Sequence, residues 1–258
     1  MKKNNNLKFI KSIIRSKTSL FIGLGVLAVI VVVILDFYDS SFSKHDILVE
    51  FHGLVFDLFV FGVILTVYDT LKEKREKEKS KENKKLELIQ RYTEEINDYK
   101  FWKCEESMFR TRGLIERLVN LGATDLNLSH CYLYTNSSLM FKDMKNWKFS
   151  FADMREGAFA LSNMTNTEFY STKLINAHFN KVNLTKSKFD SANLFNTKFV
   201  KCIFEDAELD NAIVNSVHWF EYLIEEKNTG IEALMKKYKI TSQPEIINEI
   251  EFYRVKKR

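Results

Sequence analysis

One residue in five sets the terms for this chain. From Leu139 to Val214 every fifth position is Leu, Met, Phe or Val, sixteen times in succession without a slip. The position two earlier is small in most repeats, as at Ser137, Ala152, Gly157, Ser162, Thr167, Thr172, Ala177, Ser187, Ala192, Thr197, Cys202, Ala207 and Ala212; Lys142, Trp147 and Val182 are the exceptions. A period of five matches neither a 3.6-residue helix nor a strand that alternates every two residues. Repetition at a fixed short interval instead predicts a stacked solenoid, in which each repeat buries its large residue against the next turn.

The segments Ala152-Asp153-Met154, Val182-Asn183-Leu184 and Ala192-Asn193-Leu194 resemble the pentapeptide-repeat family, whose pattern is A(D/N)LXX. The resemblance runs through residues 137–216. It implies four pentapeptides per square turn of a right-handed β-helix, with the large residue and the small one both inside, and sixteen repeats then make four coils. At a coil spacing of about 4.8 Å the solenoid is on the order of 20 Å tall. Its axis would carry Phe columns, Phe149–Phe169–Phe189 and Phe159–Phe179–Phe199. Leu128 and Leu133 belong to an earlier stretch displaced by one residue, with a bulge or corner loop in Thr135–Ser138. Open solenoid ends are templates for further strand pairing and need covers. The stretch Val217–Ile224 suits a helical cap on the last coil, and a helix before Gly122 could cover the first. Some members of the family imitate duplex DNA with acidic surfaces and bind topoisomerases. Residues 139–214 hold ten Lys/Arg and nine Asp/Glu, which excludes that role here.

The N-terminal part reads differently. Thr18–Leu35 has no charge, long enough to cross most of a ~30 Å hydrocarbon core. A buried core helix or a cleaved signal peptide are the alternatives. A second apolar stretch runs from about Phe51 to Tyr68, interrupted by His52 and Asp57. Lys2, Lys3, Lys8, Lys11, Arg15 and Lys17 precede the first stretch, and residues 72–85 carry eight bases against four acids after the second. The connection between the two is net acidic. The positive-inside rule then predicts a multi-pass protein of the inner (plasma) membrane with both termini cytoplasmic. Glu50 and Asp57, seven residues apart on one helical face, are candidate pore-lining carboxylates. Equally, Asp57 could be protonated or bonded to a neighbouring helix in an assembly that conducts nothing. Either alternative requires a homo-oligomer, since two helices cannot enclose a pore.

Residues 70–103 lack Gly and Pro and predict a long juxtamembrane helix. Ile89, Tyr92, Ile96 and Tyr99 follow 3-4-3 spacing, which suits a short coiled-coil seam or a face packed on the chain's own solenoid. The expected fold is therefore α + β: a basic N-terminus (1–17), two transmembrane helices (18–71), juxtamembrane helices (72–122), a β-helix (123–216) and a C-terminal helical cap and tail (217–258).

Function is less constrained. Cys104, Cys131 and Cys202 have no CxxC spacing, so neither a disulfide frame nor a zinc knuckle is expected. No phosphate loop, nucleophile elbow or HExxH is present, the five histidines are dispersed, and no enzyme activity, cofactor or metal is expected. Positions twenty apart should stack, which gathers His178, Lys181, Lys198 and Lys201 on one face with Lys186 and Lys188 at nearby corners. Such a face suits an anionic nucleotide or oligonucleotide, or phospholipid headgroups; the plain alternative is a solvated surface. Outward Phe141, Phe151, Leu161, Ile175 and Phe195 suggest that helices or sister subunits cover part of the solenoid. The expectation is an oligomeric, channel-like membrane effector whose β-helix senses a signal, in a layout like that of bacterial anti-phage effectors. The alternative is a non-conducting tethered scaffold that docks a protein partner.

Overall fold

The structure, a computed structural model, describes residues 23, 25, 26, 30, 34, 44–134, 143–247 and 249–258. The chain divides into two compact units, Met1–Lys84 and Lys85–Arg258.

The first unit contains the beginning of α1, which runs without a break over Lys44–Tyr99. Its polar part is a good helix former, lacking Gly and Pro, and carries i,i+4 pairs such as Glu73–Lys77 at 2.6 Å. Beside Lys77 the Glu73 carboxyl sits below its usual range. The expectation of two transmembrane helices is corrected at this point: among the described residues no helix is long and apolar enough to cross a membrane. The apolar stretch near Phe51–Tyr68 is not an element of its own. It is one part of a 56-residue helix that carries Asp57 inside that stretch and is densely charged from Asp69 onward. Multi-pass insertion in the inner membrane, with both termini on one side, falls with it. The Thr18–Leu35 expectation lies outside the described residues except at Gly23, Gly25, Val26, Ile30 and Ile34.

In the second unit, the end of α1 turns its 3-4-3 seam inward. Ile96 is buried with Leu114, Ile115 and Leu118 of α2 (Glu105–Asn120), and Ile89, Tyr92 and Tyr99 pack on the same core. The seam thus serves the chain's own fold. α2 is amphipathic, burying Met108, Leu114, Ile115 and Leu118.

From Asn127 onward the chain coils. Parallel bridges join residues twenty apart along four ladders: Asp143–Asn163–Asn183–Ile203, Lys148–Glu168–Lys188–Glu208, Asp153–Lys173–Asn193–Ile213, and the strands β1 (Ala158–Ala160), β2 (His178–Asn180) and β3 (Lys198–Val200). The first stretch pairs Asn127 with Lys148 and Tyr132 with Asp153, an offset of twenty-one, so the one-residue displacement read in the sequence is present. The extra residue falls between Tyr132 and Asp143; residues 135–142, the expected bulge among them, lie outside the described residues.

Why five residues make one side follows from the local bonds. The large residue accepts a hydrogen bond from the N–H three residues later, as in Met144–Trp147 (3.3 Å), Phe169–Thr172 (3.1 Å) and Leu194–Thr197 (3.0 Å). The residue before that N–H has positive φ, between 51° and 61° at every fifth position from Asn146 to Asn211. This is the geometry of a tight turn with a left-handed third residue. None of these corners is glycine, and Asn or Asp occupies six of them, the side chains that tolerate that conformation best. The Asn/Asp of the repeat has its own task. Asn163, Asn183 and Asn193 each accept from the N–H two residues on, at 3.2, 3.0 and 3.1 Å. Buried hydroxyls at the small position donate to the preceding coil: Thr167 to Met144 O, Thr172 to Phe149 O, Thr197 to Leu174 O. Among the described residues no such hydroxyl is left orphaned, which is what makes Thr tolerable in the core.

The axis is aromatic, as expected. Phe149, Phe169 and Phe189 stack at centroid separations of 5.5 and 4.7 Å, and Phe159, Phe179 and Phe199 at 4.7 and 4.9 Å. The two columns meet edge to face, for example Phe169 on Phe179 at 6.3 Å.

The far end is closed by helices and strands together. β4 (Ile213–Val214) is the last rung, followed by α3 (Trp219–Glu225), α4 (Ile231–Lys237), β5 (Tyr238–Ile240), β6 (Glu245–Ile247) and β7 (Ile250–Lys257). β7 pairs antiparallel with β4, β5 and β6. Elsewhere on the final coil Thr229 bridges Ile203, and the Asn228 side chain accepts from Cys202 N (2.7 Å) and donates to Phe199 O (2.9 Å). The Tyr238 hydroxyl accepts from Leu209 N (3.2 Å). Every side of the last coil thereby has a partner for its outward backbone groups. Gly230 makes this fit possible. Its φ is 82°, and a Cβ there would lie 2.8 Å from the Phe204 and Glu205 backbone.

Candidate functional site

The solenoid places side chains by ladder, so charge neighbours are read twenty residues apart. Lys148, Glu168, Lys188 and Glu208 share one ladder, with Lys148 3.7 Å from Glu168. Lys188 therefore stands between two glutamates on a side of the coil, not at a corner near the basic face as the sequence suggested. Lys186 occupies a corner whose neighbours one coil away are Asn166 and Asp206, its N–H bonded to Glu205 O. Both lysines thus have acids as stack neighbours, although neither forms an ion pair among the described residues.

The remaining four do come together. His178 pairs in register with Lys198 across β2 and β3. Lys181 and Lys201 occupy the next corner, one coil apart, both exposed and both at positive φ. Between them opens a groove of about 400 Å³ whose walls include Leu161, Asn163, Asn183 and Ile203. None of Lys181, Lys198 and Lys201 has an ion-pair partner among the described residues, whereas Arg155 holds Asp153 with two bonds of 2.8 Å. The groove therefore offers two stacked ammonium groups and two carboxamides. Sequence phase located the lysines. The asparagine walls and the Glu226 carbonyl that accepts from Lys201 N come from the fold and have no signal of their own.

The other expected site has no such geometry. Asp57 is an exposed residue of α1, and the side chain of Glu50 lies outside the described residues. With no membrane-crossing helix among the described residues, the pore-lining expectation loses its span. No group of His, Cys, Asp and Glu among the described residues is placed to hold a metal. Burial pushes the Cys131 thiol up to about 12 and the Cys202 thiol up to about 11, which keeps both protonated.

Sequence reasoning also missed an outer aromatic stack. Phe101, in the link between α1 and α2, lies 4.5 Å from the His130 ring, and His130 stacks on Phe151 at 4.9 Å. Tyr170 meets Phe151 edge-on at 5.3 Å. Of the outward apolar residues, Phe151 and Leu161 are exposed by 50% and 71%, Ile175 and Phe195 are half-buried, and Phe141 lies outside the described residues.

A family model for pentapeptide repeats matches residues 162–199 as eight copies. No curated protein matches the chain. Among solved structures, a pentapeptide repeat protein from the cyanobacterium Cyanothece is similar at 21% identity and a TM-score of 0.32, over 33% of this chain and 58% of that one. The chain thus spans less than two thirds of that relative's length. A pentapeptide repeat protein from the Arabidopsis thaliana thylakoid lumen is similar at 18% identity and a TM-score of 0.26, over 38% of this chain and 74% of that one. HetL of the cyanobacterium Nostoc, a pentapeptide repeat protein involved in heterocyst differentiation regulation, is similar at 21% identity and a TM-score of 0.15, over 36% and 52%.

Proposed function

We propose that this pentapeptide-repeat protein is a non-enzymatic binding module whose solenoid docks an anionic ligand of the nucleotide or oligonucleotide class along the Lys181–Lys201 corner. One observation carries the reading. Basic side chains on the Lys148–Glu208 ladder alternate with acids, whereas Lys181 and Lys201 are stacked one coil apart with no acid between them. Two like charges at the ~4.8 Å coil spacing repel by about 1 kcal/mol near water. An anion lying along the groove removes that repulsion and gains charge-assisted hydrogen bonds from both ammonium groups, with Asn163 and Asn183 able to donate beside them. His178 and Lys198 extend the same field across β2 and β3.

The test is fluorescence anisotropy of the full chain with a labelled ten-nucleotide oligo-dT strand, repeated across a salt series. Binding should weaken with salt, with a log–log slope of about −0.7 per phosphate contacted. Lys181→Glu with Lys201→Glu should abolish it, and Lys188→Glu should leave it intact. Equal binding by the double variant sinks the proposal. A second reading, docking of a protein partner, is favoured by the exposed Phe151, Leu161 and Tyr170. It predicts a captured partner that Phe151→Ser releases and the lysine variants retain.

A further inference from the structure

A separate cavity of about 310 Å³ lies between the last coil and α3. Its wall carries Lys198, Asn215 and Ser216 from the solenoid side and His218, Trp219, Glu221 and Glu225 from the cap, with Lys198, Glu221 and Glu225 its formally charged members. Glu221 and Glu225 are four residues apart and so share a face of α3. None of Lys198, Glu221 and Glu225 has an ion-pair partner among the described residues, although all three border one small space. Trp219 is almost fully buried, and its indole N–H has no acceptor among the described residues. That nitrogen is enclosed, so it lies behind the wall, and the groups on the wall that are free to bind are the charged ones and their polar neighbours.

The charges restrict the occupant. A simple anion would meet two carboxylates, and a simple amine would meet Lys198. A molecule carrying both signs satisfies all three groups. We propose that the cavity binds a small zwitterion of the amino-acid class. Its ammonium sits between the Glu221 and Glu225 carboxylates, and its carboxylate sits against the Lys198 ammonium, with the Ser216 hydroxyl and Asn215 amide as neutral donors. A cavity of 310 Å³ lies at the lower end of the size range of small-molecule sites, which suits a single amino acid. This site is distinct from the Lys181–Lys201 groove. Lys198 lines this cavity and stands near the groove without lining it, so the glutamates are the residues that tell the two sites apart.

The experiment uses the full chain and follows tryptophan fluorescence and melting temperature. Each free L-amino acid is titrated singly, with spermidine as an amine-only probe and glutarate as a carboxylate-only probe. At least one amino acid should saturate, and neither control should. Glu225→Gln and Glu221→Gln, both exposed positions where the fold is not at stake, should each weaken that binding by about tenfold or more, the loss of one charge-assisted pair. Both variants should leave oligonucleotide binding unchanged. The proposal is overturned if no amino acid saturates, if a single-charge probe binds as well, or if the glutamine variants bind as tightly as the parent.

Discussion

Phe179→Ala tests the aromatic axis at the middle of one of its columns. Phe179 is 1% exposed and stands between Phe159 at 4.7 Å and Phe199 at 4.9 Å, with Phe169 edge-on at 6.3 Å. Truncating a buried Phe to Ala costs about 3–5 kcal/mol, the upper part of that range applying where the walls cannot close on the cavity. Here they cannot. Each wall residue is held at a fixed height by backbone bonds to the coils on either side, such as Leu161 N to Asn180 O and Lys181 N to Val200 O. The expected loss is therefore about 4–5 kcal/mol, or a fall in melting temperature of roughly 8–20 °C for a chain this long. Phe179→Leu, which keeps the burial but not the ring, should lose only the three aromatic contacts, at about 0.5–1.5 kcal/mol each. Urea titration of the full chain, followed by far-UV circular dichroism, measures both. A loss below about 1 kcal/mol for the alanine variant, no larger than that of an exposed control such as Lys188→Ala, would refute an axis packed in this way.

Three further outcomes follow from the same geometry. Gly230→Ala should destabilise by at least about 2 kcal/mol in thermal melts, since the new Cβ meets the Phe204 and Glu205 backbone at 2.8 Å and φ is 82°. Burial, reinforced by Glu208, raises the Asp190 carboxyl above its usual value. The folded state then holds this proton more tightly than the unfolded one, so its contribution is present in acid and is lost as pH rises through the raised value. Asp190→Asn, whose Oδ1 can still accept from Asp210 N, should gain stability at neutral pH by less than about 1 kcal/mol, and the gain should vanish below pH ~4. A thiol reagent applied to the native chain at pH 8 should label Cys104, which is exposed, and spare Cys131 and Cys202 until denaturant is added; rapid labelling of all three would contradict their burial.

The solenoid was legible because its information is local and repeated. Each pentapeptide carries its turn, its inward residue and its Asn or Asp brace within five positions, and neighbours twenty apart share the same phase. That is also why His178, Lys181, Lys198 and Lys201 could be gathered in advance, while Lys186 and Lys188 needed the charges of their own columns, Asp206, Glu168 and Glu208, to be placed. The apolar stretch after Phe51 misled for the opposite reason. Hydropathy records the cost of exposing a segment to water, and it does not say how far the helix containing that segment extends; α1 continues through Asp69 and the charged run beyond it.

What the amino-acid order determined unaided is the coil: its period, its four ladders, its Phe columns and the one-residue offset before Asp143. What only the tertiary structure decided is how the coil ends. Residues 217–258 read as a helical cap and tail, yet Ile250–Lys257 is a strand, because β4 presents an edge that β7 can pair with. A strand at such an edge takes its partner from a distant rung, so its own residues need carry no periodic mark. The groove at Lys201 and the cavity beside Trp219 lie against that same end, where the physical cause is contact between segments far apart in the chain.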